Sequence, residues 1–309
     1  MTILESADDA VGLARAWQVM VSRDLAQGVR MEKITQTIIR AAEKADAAGL
    51  RREQAMLRSH LTGALFYDST PAEEALAAAR MILLEVEAFP AARANALANI
   101  AGLLAMMGGF PEARQALSDS EAIFEEFALK WDYHIFPMRA GFIELLAEDP
   151  VAAEARLRNG LDVLTGLGER FWSASFAAML AEALYRQGRL DESEELAAES
   201  ERLGGPDDAE VPILTRQTLA RLLAARGKPE EGVPLGREAI AAAERLAQIN
   251  HEADAHLSLS EVLLAAGDTA EATRMAAEAL VLYERKGNLP SAAKARIQLA
   301  KLTVTGFSG

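Results

Sequence analysis

Metal or acid–base chemistry in this chain would rest on four histidines, His60, His134, His251 and His256, because the sequence contains no cysteine. Without thiols there can be no disulfide framework, thiolate metal site or cysteine nucleophile. The tightest grouping is His251 and His256, which bracket Glu252 and Asp254. Five positions along a helix turn two side chains about 140° apart, whereas a zinc-binding pair needs the shared face of an i,i+4 spacing. No metal site is predicted. Carboxylate pairs such as Glu125-Glu126 and Glu194-Glu195 fall where helices face solvent and read as solvated charge rather than general acids or bases. Ser173, Ser175 and Ser200 lack the Gly-x-Ser-x-Gly elbow of an activated nucleophile. Gly227-Lys228 lacks both the upstream Gly and the following Ser/Thr of a phosphate loop. The expectation is a protein without a catalytic centre or cofactor.

Recognition chemistry is better represented. Aromatics make up only 6% of the chain, yet they gather in its middle: Trp131, Tyr133, His134 and Phe136, then Phe171, Trp172 and Phe176. Trp131 and Phe171, like Phe136 and Phe176, are 40 residues apart. Two readings stand side by side: the rings fill a wide part of the core, or they form an anchor pocket for a partner side chain or small ligand.

The elements that would position these residues are helices. The 309 residues are half apolar, rich in alanine and poor in β-branched runs between turn signals, which points to closely packed helices and away from sheets. A formal net charge of −14 repels nucleic acid, so no direct nucleic-acid partner is expected. Apolar stretches are interrupted by Glu, Arg or Asp every few residues, and Met1 to Ser6 has no basic segment leading into an apolar one. Neither a membrane span nor a secretory signal is predicted, and the expected location is the cytoplasm.

A period of about forty residues organises the chain. Leu103 to Ala113 (LLAMMGGFPEA), Ala183 to Ser193 (ALYRQGRLDES), Leu222 to Gly232 (LLAARGKPEEG) and Val262 to Ala272 (VLLAAGDTAEA) each read as helix end, Gly turn and helix start. Small residues twelve apart recur in six units: Gly63/Ala75, Ala101/Ala113, Gly141/Ala153, Ala181/Ser193, Ala220/Gly232 and Ser260/Ala272, at offsets of 38, 40, 40, 39 and 40. Where two antiparallel helices cross closely, a larger side chain would push the backbones apart. Gly108, Gly188, Gly227 and Gly267 stand five residues before the second small position, while Thr70 and Glu148 take that place in the other two units. The pattern predicts one continuous domain over 1–309. Its hairpins are placed at about 7–48, 51–88, 90–128, 130–167, 169–203, 208–247 and 250–286, with a closing helix at 289–303. Tight contact at the small positions would coil the hairpins into an elongated spiral with an inner trough.

The Gly turn, with one small residue five later and another twelve before that, resembles the tetratricopeptide repeat over nearly the whole chain. That resemblance implies an all-α, right-handed superhelical solenoid whose concave groove binds peptides, protein segments or sometimes small ligands. The usual large aromatic early in the first helix is replaced by Ser59, Leu97, Pro137, Ala177, Arg216 and His256, and the repeat is longer than the common form. The long repeats, and segments such as Gly12 to Trp17 (GLARAW), Gly188 to Glu192 (GRLDE) and Leu282 to Asn288 (LYERKGN), resemble the C-terminal sensor regions of bacterial signal-transduction ATPases. These include the maltose-regulon-activator type and adenylate-cyclase-like regulators.

The resemblance also puts groove-facing side chains on the first helix of each pair, which nominates Asn95, Ser175, Glu182, Tyr185, Gln217, Arg221, Asp254 and Glu261. With Trp131, His134 and Trp172 from the aromatic cluster, these are the candidate partner-binding residues. Their mixture does not make the Lys/Asn clamp by which co-chaperone repeats grip a C-terminal carboxylate. The implied function is a non-catalytic protein- or peptide-binding scaffold of a bacterial signalling system, or alternatively a small-molecule sensor domain of a larger regulator.

Overall fold

A computed structural model describes residues 29–127, 135–205 and 208–306, together with Gly12, Ala16, Val19 and Met20. Among the described residues there are fourteen helices and no strand. They run as α1 (Met31–Ala47), α2 (Arg51–Tyr67), α3 (Ala72–Glu85), α4 (Pro90–Met106), α5 (Phe110–Glu126), α6 (Ile135–Leu146) and α7 (Pro150–Gly166). The second half comprises α8 (Phe171–Arg186), α9 (Leu190–Leu203), α10 (Val211–Ala225), α11 (Pro229–Leu246), α12 (Ile249–Ala265), α13 (Thr269–Lys286) and α14 (Leu289–Gly306). Even-numbered helices from α2 to α12 open the hairpins, odd-numbered ones return, and α14 closes the series as a right-handed solenoid. The first helix expected in the opening unit falls largely outside the described residues.

Local chemistry sets each hairpin. Proline occupies the first turn of α4, α5, α7, α10 and α11, where its missing N–H costs no helical hydrogen bond. Asp149 and Asp268 accept backbone N–H bonds from Ala152 and Glu271 at the starts of α7 and α13, both at 2.9 Å. The helix ends reverse through a left-handed residue. Gly108, Gly188, Gly227 and Gly267 have φ of 81°, 74°, 77° and 84°. Glu148 takes the same conformation, φ 61°, with a side chain attached. The unit with Thr70 turns differently, its amide donating to Asp68 Oδ1 at 2.9 Å.

The small pairs mark the helix crossings. Ser193 and Ser260 donate their hydroxyls across the hairpin to the carbonyls of Ala181 and Ala272, each at 2.7 Å. A Cβ on Gly232 would stand 2.5 Å from the Ala220 carbonyl oxygen, so in that hairpin the backbones are closer than even alanine allows. Ala181, Ser193, Ala220, Ser260 and Ala272 are all fully buried. The apolar core follows these contacts from hairpin to hairpin as a chain of clusters.

The expectation of an elongated spiral is corrected here, because the superhelix returns on itself. Lys286, at the end of α13 and 0% exposed, donates from Nζ to the carbonyls of Leu65, Asp68 and Thr70 in the α2–α3 turn, at 2.8, 2.8 and 2.9 Å. Burial pushes its pKa down, against the opposing carboxylate of Asp68, to about 8, so it is still an ammonium at neutral pH. Beside it Gly287 faces Ala72, and a Cβ there would sit 3.5 Å from the Ala72 nitrogen, in ordinary van der Waals contact. Asn250 lies against Met106, and Lys294 of α14 donates to the Leu145 carbonyl and pairs with Glu148. The last hairpin and closing helix thus meet α2, α4 and the α6–α7 turn, and the inner trough becomes a walled cavity.

Candidate functional site

The cavity has a volume of about 460 Å³ and is lined mainly by the hairpin-opening helices α2, α6, α8, α10 and α12, with α14 closing it. That size lies within the range of pockets that enclose a drug-sized molecule or a few peptide residues. Its apolar walls include Phe66, Tyr67, Phe142, Met179, Leu214 and Leu257.

Polar side chains enter it in an order set by the repeat. Consecutive opening helices are joined by hydrogen bonds between residues one repeat apart. Asn95 donates to Ser59, Asn99 to Thr62 and Arg139 to Asn99, at 3.0, 3.0 and 2.9 Å. Arg221 pairs with Glu182, Ser258 donates to Gln217 at 3.3 Å, and Asn288 to Asn250 at 3.0 Å. The ladder satisfies polar groups that burial would otherwise penalise, and it ties each hairpin to the next.

Glu182 is the centre of the strongest group. Its carboxylate accepts from Arg186 Nε at 2.7 Å, from Arg221 Nη1 at 3.1 Å and from Thr218 Oγ1 at 3.3 Å. Burial raises its pKa, but the two guanidinium groups outweigh burial and hold it at about 2. Arg221 also lies 4.8 Å over the Tyr185 ring and 4.0 Å from Glu261. On the neighbouring wall Asp254 accepts from the Tyr283 hydroxyl, and burial raises its pKa. Glu210 lies 3.7 Å from His251 and is likewise raised by burial, against the pull of that histidine.

Of the residues nominated from sequence, Ser175, Glu182, Tyr185, Gln217, Arg221, Asp254 and Glu261 all line this cavity. Asn95 does not, since its amide is turned into the α2–α4 contact. Trp172 packs against the core cluster around Leu180 and edge-on to Phe171, at 5.0 Å, away from the cavity. Trp131 and His134 lie outside the described residues. Phe136 and Phe176 are both buried in the core. Phe136 meets Phe124 edge-on at 4.2 Å, and Phe176 fills the space over Gly160 beside Pro137. The rings that do face the cavity include Phe66 and Tyr67 on α2, where the sequence shows no aromatic cluster, and Phe142, on the same helix as Phe136. Arg139 escaped notice as well, although it stands 40 residues after Asn99 on the ladder.

His251 and His256 part company as their spacing predicts. His251 faces the cavity beside Glu210 and Tyr67, while His256 lies against Met275 at 3.5 Å. Glu244, Glu252 and His256 bring potential ligand atoms within 4.8 Å of one another on a different face from the cavity-lining residues. No described helix is long and apolar enough to cross a membrane.

Residues 213–253, covering α10, α11 and the start of α12, match the tetratricopeptide repeat family. The fold is a tetratricopeptide-type solenoid. No curated protein sequence matches the chain. Solved structures resemble it in fold across most of its length. A Rap protein complexed with competence and sporulation factor superposes with a TM-score of 0.61 at 12% identity, covering 94% of this chain and 85% of that one. NprR in complex with its cognate peptide NprX gives 0.64 at 10% identity, covering 97% and 84%. A signal transduction ATPase with a tetratricopeptide repeat sensor, from Pyrococcus horikoshii, gives 0.51 at 14% identity, covering 87% of this chain and 43% of that one.

Proposed function

We propose that this protein is a non-catalytic scaffold of a bacterial signalling system that receives a short peptide, or an exposed segment of a partner protein, in the trough. The observation that carries the reading is the concentration of partnerless polar atoms there. Arg139 Nε, Ser175 Oγ, Gln217 Nε2, Gln248 Oε1 and His251 Nδ1 are buried, have no hydrogen-bond partner among the described residues, and belong to residues that line the cavity. Buried donors and acceptors left this way cost about 1 to 3 kcal/mol each, and a ligand with alternating amide groups is suited to satisfy them. The fold is shared with two regulators solved in complex with competence and sporulation factor and with the peptide NprX, which agrees with such an occupant. The charged groups are mostly engaged with one another, as in the Glu182, Arg186 and Arg221 cluster, an arrangement that suits holding rather than proton transfer.

A small-molecule sensor of a larger regulator is the second reading, favoured by the enclosure of the trough on α14. Thermal-shift measurements separate the two, since a ligand of the native state raises its melting temperature. A pool of tetrapeptides is expected to stabilise the protein, and a set of metabolites is not. Leu214→Trp, which pushes bulk into the trough, should abolish the shift while far-ultraviolet circular dichroism stays helical. A peptide shift that survives in this variant would move the binding site elsewhere, and stabilisation by metabolites alone would favour the sensor.

A further inference from the structure

Charges in the trough are compensated unevenly. Arg186 and Arg221 are paired with Glu182, and Lys294 with Glu148. Arg139 is different. It is 4% exposed and lines the cavity, yet among the described residues no carboxylate lies within 4 Å of its guanidinium. Its close contacts are neutral: Nη2 donates to Asn99 Oδ1 at 2.9 Å, the guanidinium carbon lies 3.5 Å over the Phe66 ring and 5.2 Å from that of Tyr67, and the Tyr67 hydroxyl is a hydrogen-bond partner, while the carboxylate of Glu210 acts on it only from beyond ion-pair distance. Its Nε has no acceptor among the described residues. A guanidinium cannot shed its proton to escape burial, so it is a fixed positive charge in a low-dielectric setting. Buried charges are ordinarily paired, because an unpaired one carries a large desolvation cost.

We propose that Arg139 receives a carboxylate of the bound ligand, so that the trough selects peptides that present one there. The assignment rests on the peptide-binding reading and narrows it. Stacking on Phe66 and the bond to Asn99 fix the guanidinium plane and leave its Nε edge for an acceptor, the geometry in which arginine binds carboxylates through two parallel bonds. It differs from a lysine-and-asparagine clamp in using one oriented guanidinium seated on a ring. The other buried carboxylates of the cavity wall are already engaged, Asp254 of α12 with the Tyr283 hydroxyl and Glu210, just before α10, with His251. The carboxylate can come from a chain end or from an Asp or Glu side chain.

The test uses three tetrapeptide pools with the full chain: one without Asp and Glu and with free C-termini, one with Asp and Glu but amidated, and one lacking every carboxylate. The expected result is tighter binding, by ~30-fold or more, for the first or second pool than for the third. An excess in the first pool names the chain end, and an excess in the second names a side chain. In Arg139→Met the excess disappears while the residual binding of the carboxylate-free pool persists. If Arg139→Met does not fold, Arg139→Lys, which keeps the charge but loses the planar fork, should cut the excess. Equal binding of all three pools, or an excess unchanged in the folded variant, would overturn the assignment but leave the peptide reading intact. No binding of any pool would overturn both.

Discussion

Lys286 offers a severe test, because one side chain joins α13 to the α2–α3 turn. Lys286→Met keeps the length and apolar stem but removes the ammonium that satisfies the carbonyls of Leu65, Asp68 and Thr70. Three buried acceptors left without a donor cost roughly 1 to 3 kcal/mol each, or about 6 kcal/mol at mid-range. Removing the charge also relieves a burial penalty. The fall in pKa from 10.5 to about 8 corresponds to about 3 kcal/mol. The variant should therefore lose about 3 kcal/mol, confined to the seam. Helical solenoids open piecemeal, so amide hydrogen exchange is the appropriate assay. Exchange should accelerate in α2, the α2–α3 turn and α13 and hardly change in α8 and α9, and the radius of gyration should grow in small-angle scattering. Lys228→Met, which removes one member of an exposed i,i+3 pair, is the control and should change little. Exchange and scattering identical to wild type in Lys286→Met would refute the argument that this contact closes the ring.

Other expectations follow from the hairpin contacts and the charge cluster. Ala181→Leu and Ala220→Leu should each destabilise by about 1 to 3 kcal/mol through overpacking, measured by urea titration; unchanged midpoints in both would mean that the helix register is wrong. Gly232→Ala should also destabilise, because its new Cβ would stand 2.5 Å from the Ala220 carbonyl oxygen. A neutral or stabilising result there would contradict the close crossing. Glu182 is held at about 2 against an ordinary 4.5, so between those values the unfolded chain binds the proton more readily and stability rises with pH. Its contribution of about 3 kcal/mol should be complete above pH 4.5 and lost as pH falls to about 2; Glu182→Gln should flatten that part of the wild-type pH profile.

The hairpins were legible in sequence because what defines them is local. A Gly at a left-handed turn and two small residues at a crossing act over a dozen positions, so their recurrence exposes both the period and the helix ends. The polar ladder is partly legible for the same reason: Glu182 and Arg221, or Asn99 and Arg139, are spaced by one repeat. The closure was not. Lys286 looks like any basic residue in the last turn of a helix, and its partners lie more than two hundred residues away in the chain. Whether stacked hairpins open into a long spiral or meet end to end depends on small rotations summed over all repeats, which no short motif records. Of the two readings of the central aromatics, the core one holds for Phe136 and Phe176. Phe136 and Phe176 have the spacing of neighbours across repeats, but the face they occupy meets the returning helices, whereas Phe66 and Tyr67, in an ordinary-looking segment, face the trough.

The central claim is that the solenoid closes its groove by bringing α13 onto the α2–α3 turn. Because the chain has no cysteine, Ser69→Cys and Arg285→Cys, at exposed positions on the two sides of the seam, provide a clean pair for spin labels and double electron–electron resonance. A single short, narrow distance is predicted for the protein in solution. A long or broad distribution would mean an open spiral, and the walled trough with its Arg139 site would not exist.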